Sequence, residues 1–349
     1  MRNILVINSG STSVKYKLFS EDEKEIKIGG FSEIDNHEQA IKKVLREAGE
    51  WANIKAVGHR VVHGGDVFLK PVLINDAALG ELEKFNHLAP LHNPYNLAGI
   101  KAIKSYLPEI PQIAVFDTAF YANLPAVARE YALPEEIREK YKIRRFGFHG
   151  ISHRFIMEEA ARQLDKPINK VNLISCHLGG GWSVTAIKGG EAVDTSMGWT
   201  PLEGLIMMTR AGDIDAGAVI EMIKKSPAKT SDERCEEIYN ILNNESGIKG
   251  LSGGVKNYQD LLREVSLGNR KAKFAFDSAI YRLSKYIASY WAILGGVVDA
   301  IVFAGAIGAG NPATRNETMK KIKCLGDIPV LAIKTDEELA IMREVKKFY

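Results

Sequence analysis

Hydrophobic positions along the chain fall into short runs and alternations, and these place the strands first. Residues 4–7 form an uninterrupted apolar run, followed by a polar turn around Gly10, after which Val14, Tyr16 and Leu18 recur with a period of two. That pattern predicts strand, turn, strand. The same arrangement returns at 171–187, where an apolar run reaches Leu178, a turn holds Gly179, Gly180 and Gly181, and a second apolar stretch follows, with Gly179 at the place of Gly10. Further strands are expected at 55–62, 110–116, 299–303 and 329–333. Helical periodicity covers 75–87, 134–141, 216–225, 232–244, 257–267 and 269–294, and Asp35 with Glu38 has the spacing of a capping box opening a helix that reaches about residue 51. A similar box, Thr335 with Glu338, is expected to open the closing helix, which occupies Glu338 and leaves Glu337 without a structural task. Two hairpins of one design imply two related α/β domains facing each other across a cleft, the two glycine turns converging on one ligand.

Composition narrows the setting. A chain of 349 residues exceeds what one core usually supports, so two domains are expected. The net charge of +3 offers no field for nucleic acid or an anionic membrane, so a small anion would have to be caught by local arginines. Three scattered cysteines do not form a disulfide framework and fit a reducing cytoplasm. The N-terminal stretch enters a strand pattern without a signal core, and the apolar run 292–310 is interrupted by Asp299 and several glycines, so a soluble protein is expected.

The candidate chemistry sits at the ends of these strands. Gly10, the hydroxyls of Ser11 and Ser13, and Lys15 suit a phosphate held against backbone N–H groups, although a hydroxyl-rich turn is more often only a turn, and neither the spacing nor the following strand is that of a P-loop. Arg60 stands on a strand end beside Gly64–Gly65. Asp117 closes a buried strand, where open α/β sheets place ligand contacts. His149 and His153 share the i, i+4 spacing of a zinc pair, but Gly150 lies between them and no Glu follows His149, so a loop before a helix is the better reading. Arg210 precedes a Gly/Asp turn, and Gly305, Gly308 and Gly310 form a third glycine turn before a helix.

Taken together, the blocks resemble the acetate kinase family of acetokinases, within the sugar kinase, Hsp70 and actin superfamily. The matching stretches include Asn8-Ser-Gly10-Ser-Thr-Ser13, His59-Arg60-Val-Val62-His-Gly-Gly65, Leu88-Ala-Pro-Leu91-His92-Asn93-Pro94 and Phe116-Asp117-Thr-Ala-Phe120. Gly147-Phe148-His149-Gly150, Cys176-His177-Leu-Gly179, Pro201-Leu-Glu-Gly204, Thr209-Arg210-Ala-Gly-Asp213 and Thr335-Asp-Glu337-Glu follow in family order. The resemblance implies two duplicated ribonuclease-H-like (actin-like ATPase) domains, residues 1–148 completed by 335–349, and residues 149–334. It implies ATP/ADP, Mg²⁺, a short-chain carboxylate and a homodimer. By the same resemblance Asn8 and Glu337 position the metal, and Arg60 and Arg210 clamp the carboxylate and the transferring phosphoryl group. His149 stabilises the transition state, His92 and His177 lie near the phosphates, and Asp117 lies close to the reacting carboxylate, orienting a partner rather than taking a proton. Val62, Leu91, Phe148 and Pro201 receive the alkyl tail. Nucleotide contacts are expected from Ser11, Ser13, Lys15, His177, Gly179, Gly180, Gly181, Gly305, Gly308 and Asn311.

The sequence departs from the family pattern at Gly180 and Trp182, which puts an indole beside the expected phosphate path, at Ala309, where a polar group is usual, and at Tyr121, which replaces a histidine. The chain is also shorter than a typical member, mainly between Leu325 and Pro329. The leading expectation is reversible transfer between ATP and acetate. Propionate, butyrate and a pyrophosphate donor stand as variants, and a non-catalytic nucleotide-binding relative as the contrasting class.

Overall fold

The computed structural model describes residues 3–34, 36–49, 53–90 and 92–349. Its strands are β1 (Asn3–Ser9), β2 (Ser13–Ser20), β3 (Glu25–Ser32), β4 (Ile54–Val61), β5 (Val72–Leu73), β6 (Gln112–Phe116), β7 (Asn172–Leu178), β8 (Trp182–Lys188), β9 (Glu191–Thr195), β10 (Ala300–Ala304) and β11 (Val330–Ile333). They form two sheets, ordered β3-β2-β1-β4-β6-β5 and β11-β10-β7-β8-β9. Read from the antiparallel end, each sheet is a three-stranded meander whose first strand then pairs in parallel with a later strand, which pairs in parallel with another. The duplication read from the two hairpins therefore extends to whole sheets. The strand β3 was not foreseen, because most of its residues are exposed, Ile26 and Ile28 included, and it offers little burial contrast.

The chain divides into two compact units, residues 1–122, 148–155 and 336–349 in one, and residues 123–147 and 156–335 in the other. In the first unit, one face of the sheet packs against the helix His37–Ala48 through Ala40, Ile41, Val44 and Leu45, with Ala102 and Ile103 of the helix Asn93–Tyr106. This spacing is the apolar stripe of an amphipathic helix. Its N-cap is Asn36, whose side chain accepts the Gln39 N–H at 3.0 Å, while Asp35 lies outside the described residues. The other face receives the helix Glu337–Lys346, whose Ile341, Met342 and Val345 meet Ile4, Val6, Ile113 and Val115. Burying three such side chains is worth about 1.5–3 kcal/mol each. Gly58 makes the approach possible, since a Cβ there would lie 2.8 Å from Ile341 and Val345 methyls.

Two local expectations are corrected, and the surroundings of Trp182 are filled in. The closing helix is capped by Asp336, which accepts the Leu339 N–H at 2.9 Å, and not by Thr335 with Glu338; Asp336 is already held by Lys17 at 2.7 Å. The third glycine turn winds into a short helix, Gly305–Gly310, followed by the helix Pro312–Lys321. Only Gly305, at φ +77°, makes the turn itself. Trp182 stays against the Gly179–Gly181 turn: its side chain is fully buried, donates its indole N–H to the Gly179 carbonyl at 2.9 Å and packs on Tyr258.

Candidate active site

In the first unit the parallel strands β1, β4 and β6 end together, so Asn8, Arg60 and Asp117 share one end of the sheet. Arg60 is the centre of this group. Its Nη2 donates to Asp117 Oδ2 at 2.7 Å, its Nε lies 3.2 Å from the same oxygen, and its Nη1 is 3.2 Å from Glu337 Oε2. Asp117 is 1% exposed, so a planar guanidinium is fixed by a buried anion on one edge and a carboxylate on another. Burial opposes the charge on Arg60, but Asp117 and Glu337 outweigh it and hold the guanidinium above its ordinary pKa. Burial pushes the Asp117 carboxyl up against the pull of Arg60.

His149 reaches this end of the sheet by another route. Gly150 donates its N–H to the Asp117 carbonyl at 3.0 Å, and a Cβ on Gly150 would sit 2.1 Å from that oxygen. His149 opens the helix Gly150–Gln163 in the left-handed region, at φ +58°. A non-glycine residue there costs of order 1–3 kcal/mol and is kept where its surroundings fix it. One fixing group is Tyr121, buried, whose hydroxyl donates to the Phe148 carbonyl at 2.9 Å. The tyrosine that departs from the family pattern thus holds the segment carrying Phe148 and His149. Phe148 and Val62 are buried, His92 occupies the N-cap position of the helix Asn93–Tyr106, and Leu91 lies outside the described residues.

The turn from β1 to β2 is tied by His37, whose Nε2 lies 2.7 Å from the Gly10 carbonyl. Ser11 and Lys15 are exposed and Ser13 is half-buried.

The second unit brings another set together. β7 and β10 are parallel neighbours with His177 opposite Ala304, so the Gly179–Gly181 turn and Gly305 leave the sheet side by side. A Cβ on Gly305 would be 2.5 Å from the Leu178 carbonyl, which makes glycine obligatory there. No atom would stand within 4 Å of a Cβ on Gly180, whose backbone is open. Met208 donates its N–H to the Gly180 carbonyl at 3.2 Å, fastening the Arg210 loop to this turn. Arg210 is half-buried, and its Nη1 donates to the Pro201 carbonyl at 3.3 Å. Burial pulls its pKa below the ordinary arginine value, with Tyr239 opposing, yet a guanidinium stays charged at neutral pH. The loop rests on a π-helical turn, Ile241–Glu245, through the Ala211 N–H to the Leu242 carbonyl at 3.0 Å; sequence periodicity gave no sign of it. Asn311 has a structural task, its Oδ1 accepting the Thr314 N–H at 2.8 Å.

Sequence reasoning missed Asn93 and Asn96. Both are buried, and both hydrogen-bond the backbone beyond the end of β4. Their spacing of three, directly after His92, was the available signal, since buried amides on one helix face must find partners.

The duplicated sheets, with a hydroxyl-bearing turn and Arg60 at the strand ends of the first and a glycine turn fastened to the Arg210 loop in the second, are those of the actin-like ATPase fold. The acetokinase family model matches residues 32–345, and the chain belongs to the acetokinase family, phosphotransferases that act on a carboxyl group. An acetate kinase of Helicobacter acinonychis is 43% identical, with 99% of this chain and 98% of that protein aligned over 400 positions, so the relative carries segments this 349-residue chain lacks. Among solved structures, a propionate kinase from Francisella tularensis superposes with a TM-score of 0.92 at 34% identity, and the Porphyromonas gingivalis acetate kinase with 0.90 at 32%, each covering 99% of both chains. Among the described residues no helix is long and apolar enough to cross a membrane.

Proposed function

We propose that this chain catalyses reversible, Mg²⁺-dependent phosphoryl transfer between ATP and acetate, giving acetyl phosphate and ADP. The observation that carries the reading is Arg60, charged and fixed between Asp117 and Glu337 at the end of β4. An acetate oxygen attacks the γ-phosphorus, the bond from that phosphorus to the bridging oxygen breaks, and its electron pair leaves with ADP. No proton moves, because the carboxylate is already ionised, so Asp117 orients Arg60 and is not a base. In a loose transition state charge spreads over three equatorial oxygens, and position and positive charge are what the protein supplies. Arg60 holds the carboxylate, Arg210 and His149 donate to the transferring group, and His92 and His177 serve the phosphates. Val62, Leu91, Phe148 and Pro201 take the alkyl tail. Gly179, Gly180, Gly181, Gly305 and Gly308, with Asn311, Ser11, Ser13 and Lys15, serve the nucleotide.

Asn8 and Glu337 offer an amide oxygen and a carboxylate, hard donors that fit Mg²⁺, an ion that keeps most of its waters and takes few protein ligands. When bound, the ion neutralises phosphate charge.

Trp182 is buried with its indole N–H committed to the Gly179 carbonyl; ATP is taken as the donor, with pyrophosphate as the variant. Propionate is the second acid, favoured by the likeness to a propionate kinase, since one methylene changes discrimination by only about 1–3 kcal/mol. The two compact units are read as the two domains, and a cytoplasmic homodimer completes the proposal. The test supplies ATP, GTP or pyrophosphate with acetate, propionate or butyrate and traps acyl phosphate as hydroxamate. ATP with acetate should give the highest kcat/KM; no product with any donor would refute the kinase reading, and nucleotide binding without turnover would favour a non-catalytic relative.

A further inference from the structure

The ladder between β1 and β4 ends at Ile7 opposite His59, so Asn8 and Arg60 stand one residue beyond its last pair. Direct backbone rungs do not continue. In their place the side chain of Asn96 spans the two strands: its Nδ2 donates to the Ser9 carbonyl at 2.6 Å, and its Oδ1 accepts the Val62 N–H at 3.1 Å. We infer that Asn96 is a positioning residue that sets the separation of Asn8 from Arg60, with Asn93 and Thr118 fixing the strand tail that follows. The inference rests on the functional reading above, in which Asn8 and Arg60 serve the metal and the acid.

Three observations support it. Asn96 is 3% exposed, so its amide is committed to these partners. Its helix is brought close by Gly99, one turn further on, where a Cβ would lie 3.0 Å from Ser9 Cβ. Asn93, one turn earlier on the same face, accepts the His63 N–H and donates to the His63 carbonyl, both at 3.0 Å, and Thr118 Oγ1 accepts the Gly64 N–H at 3.2 Å. Beyond Val61, then, the extension of β4 is held by side chains where a ladder would hold it with backbone, and each can be altered singly. An amide inserted between strand ends keeps them an amide's width apart, which suits two side chains that must each reach a ligand.

The experiment compares wild type with Asn96→Asp, Thr118→Val and a control, Val44→Ala, which loosens the core of the same unit away from the strand ends. Asn96→Asp keeps the acceptor for Val62 and loses the donor for Ser9. The expected result is a 10- to 100-fold fall in kcat, a raised KM for acetate, a raised half-saturating Mg²⁺ concentration, and a KM for ATP within threefold of wild type. Thr118→Val, nearly isosteric, should lower kcat 3- to 10-fold. Val44→Ala should lower Tm while kcat stays within twofold. Asn96→Asp and Thr118→Val both within twofold of wild type, or a loss of kcat in Val44→Ala equal to theirs, would overturn the inference. Wild-type protein inert with every donor and acid would instead remove the functional reading, and this inference with it.

Discussion

Asp117→Asn isolates the charge that faces Arg60 while preserving shape. An amide oxygen at the Oδ2 position retains the 2.7 Å contact from Nη2, so geometry is nearly conserved and the negative charge is lost. Two unit charges about 4 Å apart at an effective dielectric of about 20 attract by roughly 4 kcal/mol. Relief of the cost of burying the carboxylate offsets part of this, and Glu337 at 3.2 Å still faces Nη1. The net expectation is a stability loss of about 2–3 kcal/mol, below the roughly 3–5 kcal/mol of a buried pair broken outright. With its deeper anchor weakened, Arg60 is drawn toward Glu337. Misplacing one donor to the reacting group costs about 2.7 kcal/mol, or about 100-fold in kcat. The assay is hydroxamate trapping at saturating ATP, with urea unfolding for stability. A kcat within threefold of wild type would refute the positioning argument. The loss should also be even from pH 6 to 8, because no proton is abstracted; a variant profile that loses one limb would show Asp117 to be a base.

Three further outcomes can be checked. His59 is buried, and burial lowers its pKa from 6.5 to about 4 despite its bond to Gln112, so the unfolded chain binds a proton first as pH falls. Its contribution is intact above pH 6.5 and lost on descent to pH 4, roughly 3 kcal/mol in all, and His59→Gln should flatten that part of the urea-unfolding profile. Gly305→Ala should cost more than about 2 kcal/mol, from φ +77° and the Leu178 carbonyl at 2.5 Å, whereas Gly308→Ala, whose Cβ would meet its nearest atom at 3.4 Å, should be close to neutral by the same measurement. Asp336→Ala removes the cap of the closing helix and an ion pair with Lys17, with an expected loss of about 1 kcal/mol and faster amide exchange at Leu339.

Much of this arrangement was legible in the residues because the strands that carry it are buried and short. β1, β6, β7 and β10 read directly from their apolar runs, and Asp117 followed from its place at a strand end. What escaped was decided by partners distant in the chain. Asp336 outcompetes Thr335 as a cap while bonded to Lys17, 319 residues away. Trp182 reads from the sequence only as a ring beside the glycine turn, and its packing on Tyr258 depends on a partner far along the chain. The spacing of Asn93 and Asn96 on one helix face was a signal in the chain, but their value appears only once the ends of β1 and β4 are seen to lack rungs. The π-helical turn under Arg210 is likewise a product of packing.

The closing helix has a consequence for biogenesis. It supplies one flank of the sheet begun by β1 and the carboxylate that meets Arg60, yet it is translated last of all the elements that sheet needs. At about 5–20 residues per second, the 319 residues from Lys17 to Asp336 take roughly 16–64 s on the ribosome. From the moment each is made until the closing helix follows, Ile4, Val6, Ile113 and Val115 await that helix's cover, and Arg60 lacks one of its two counter-charges. Until Ile341, Met342 and Val345 are made, that face of the sheet lacks the three side chains that complete its core. A transcript cut short anywhere before residue 337 yields a polypeptide that cannot assemble its arginine site.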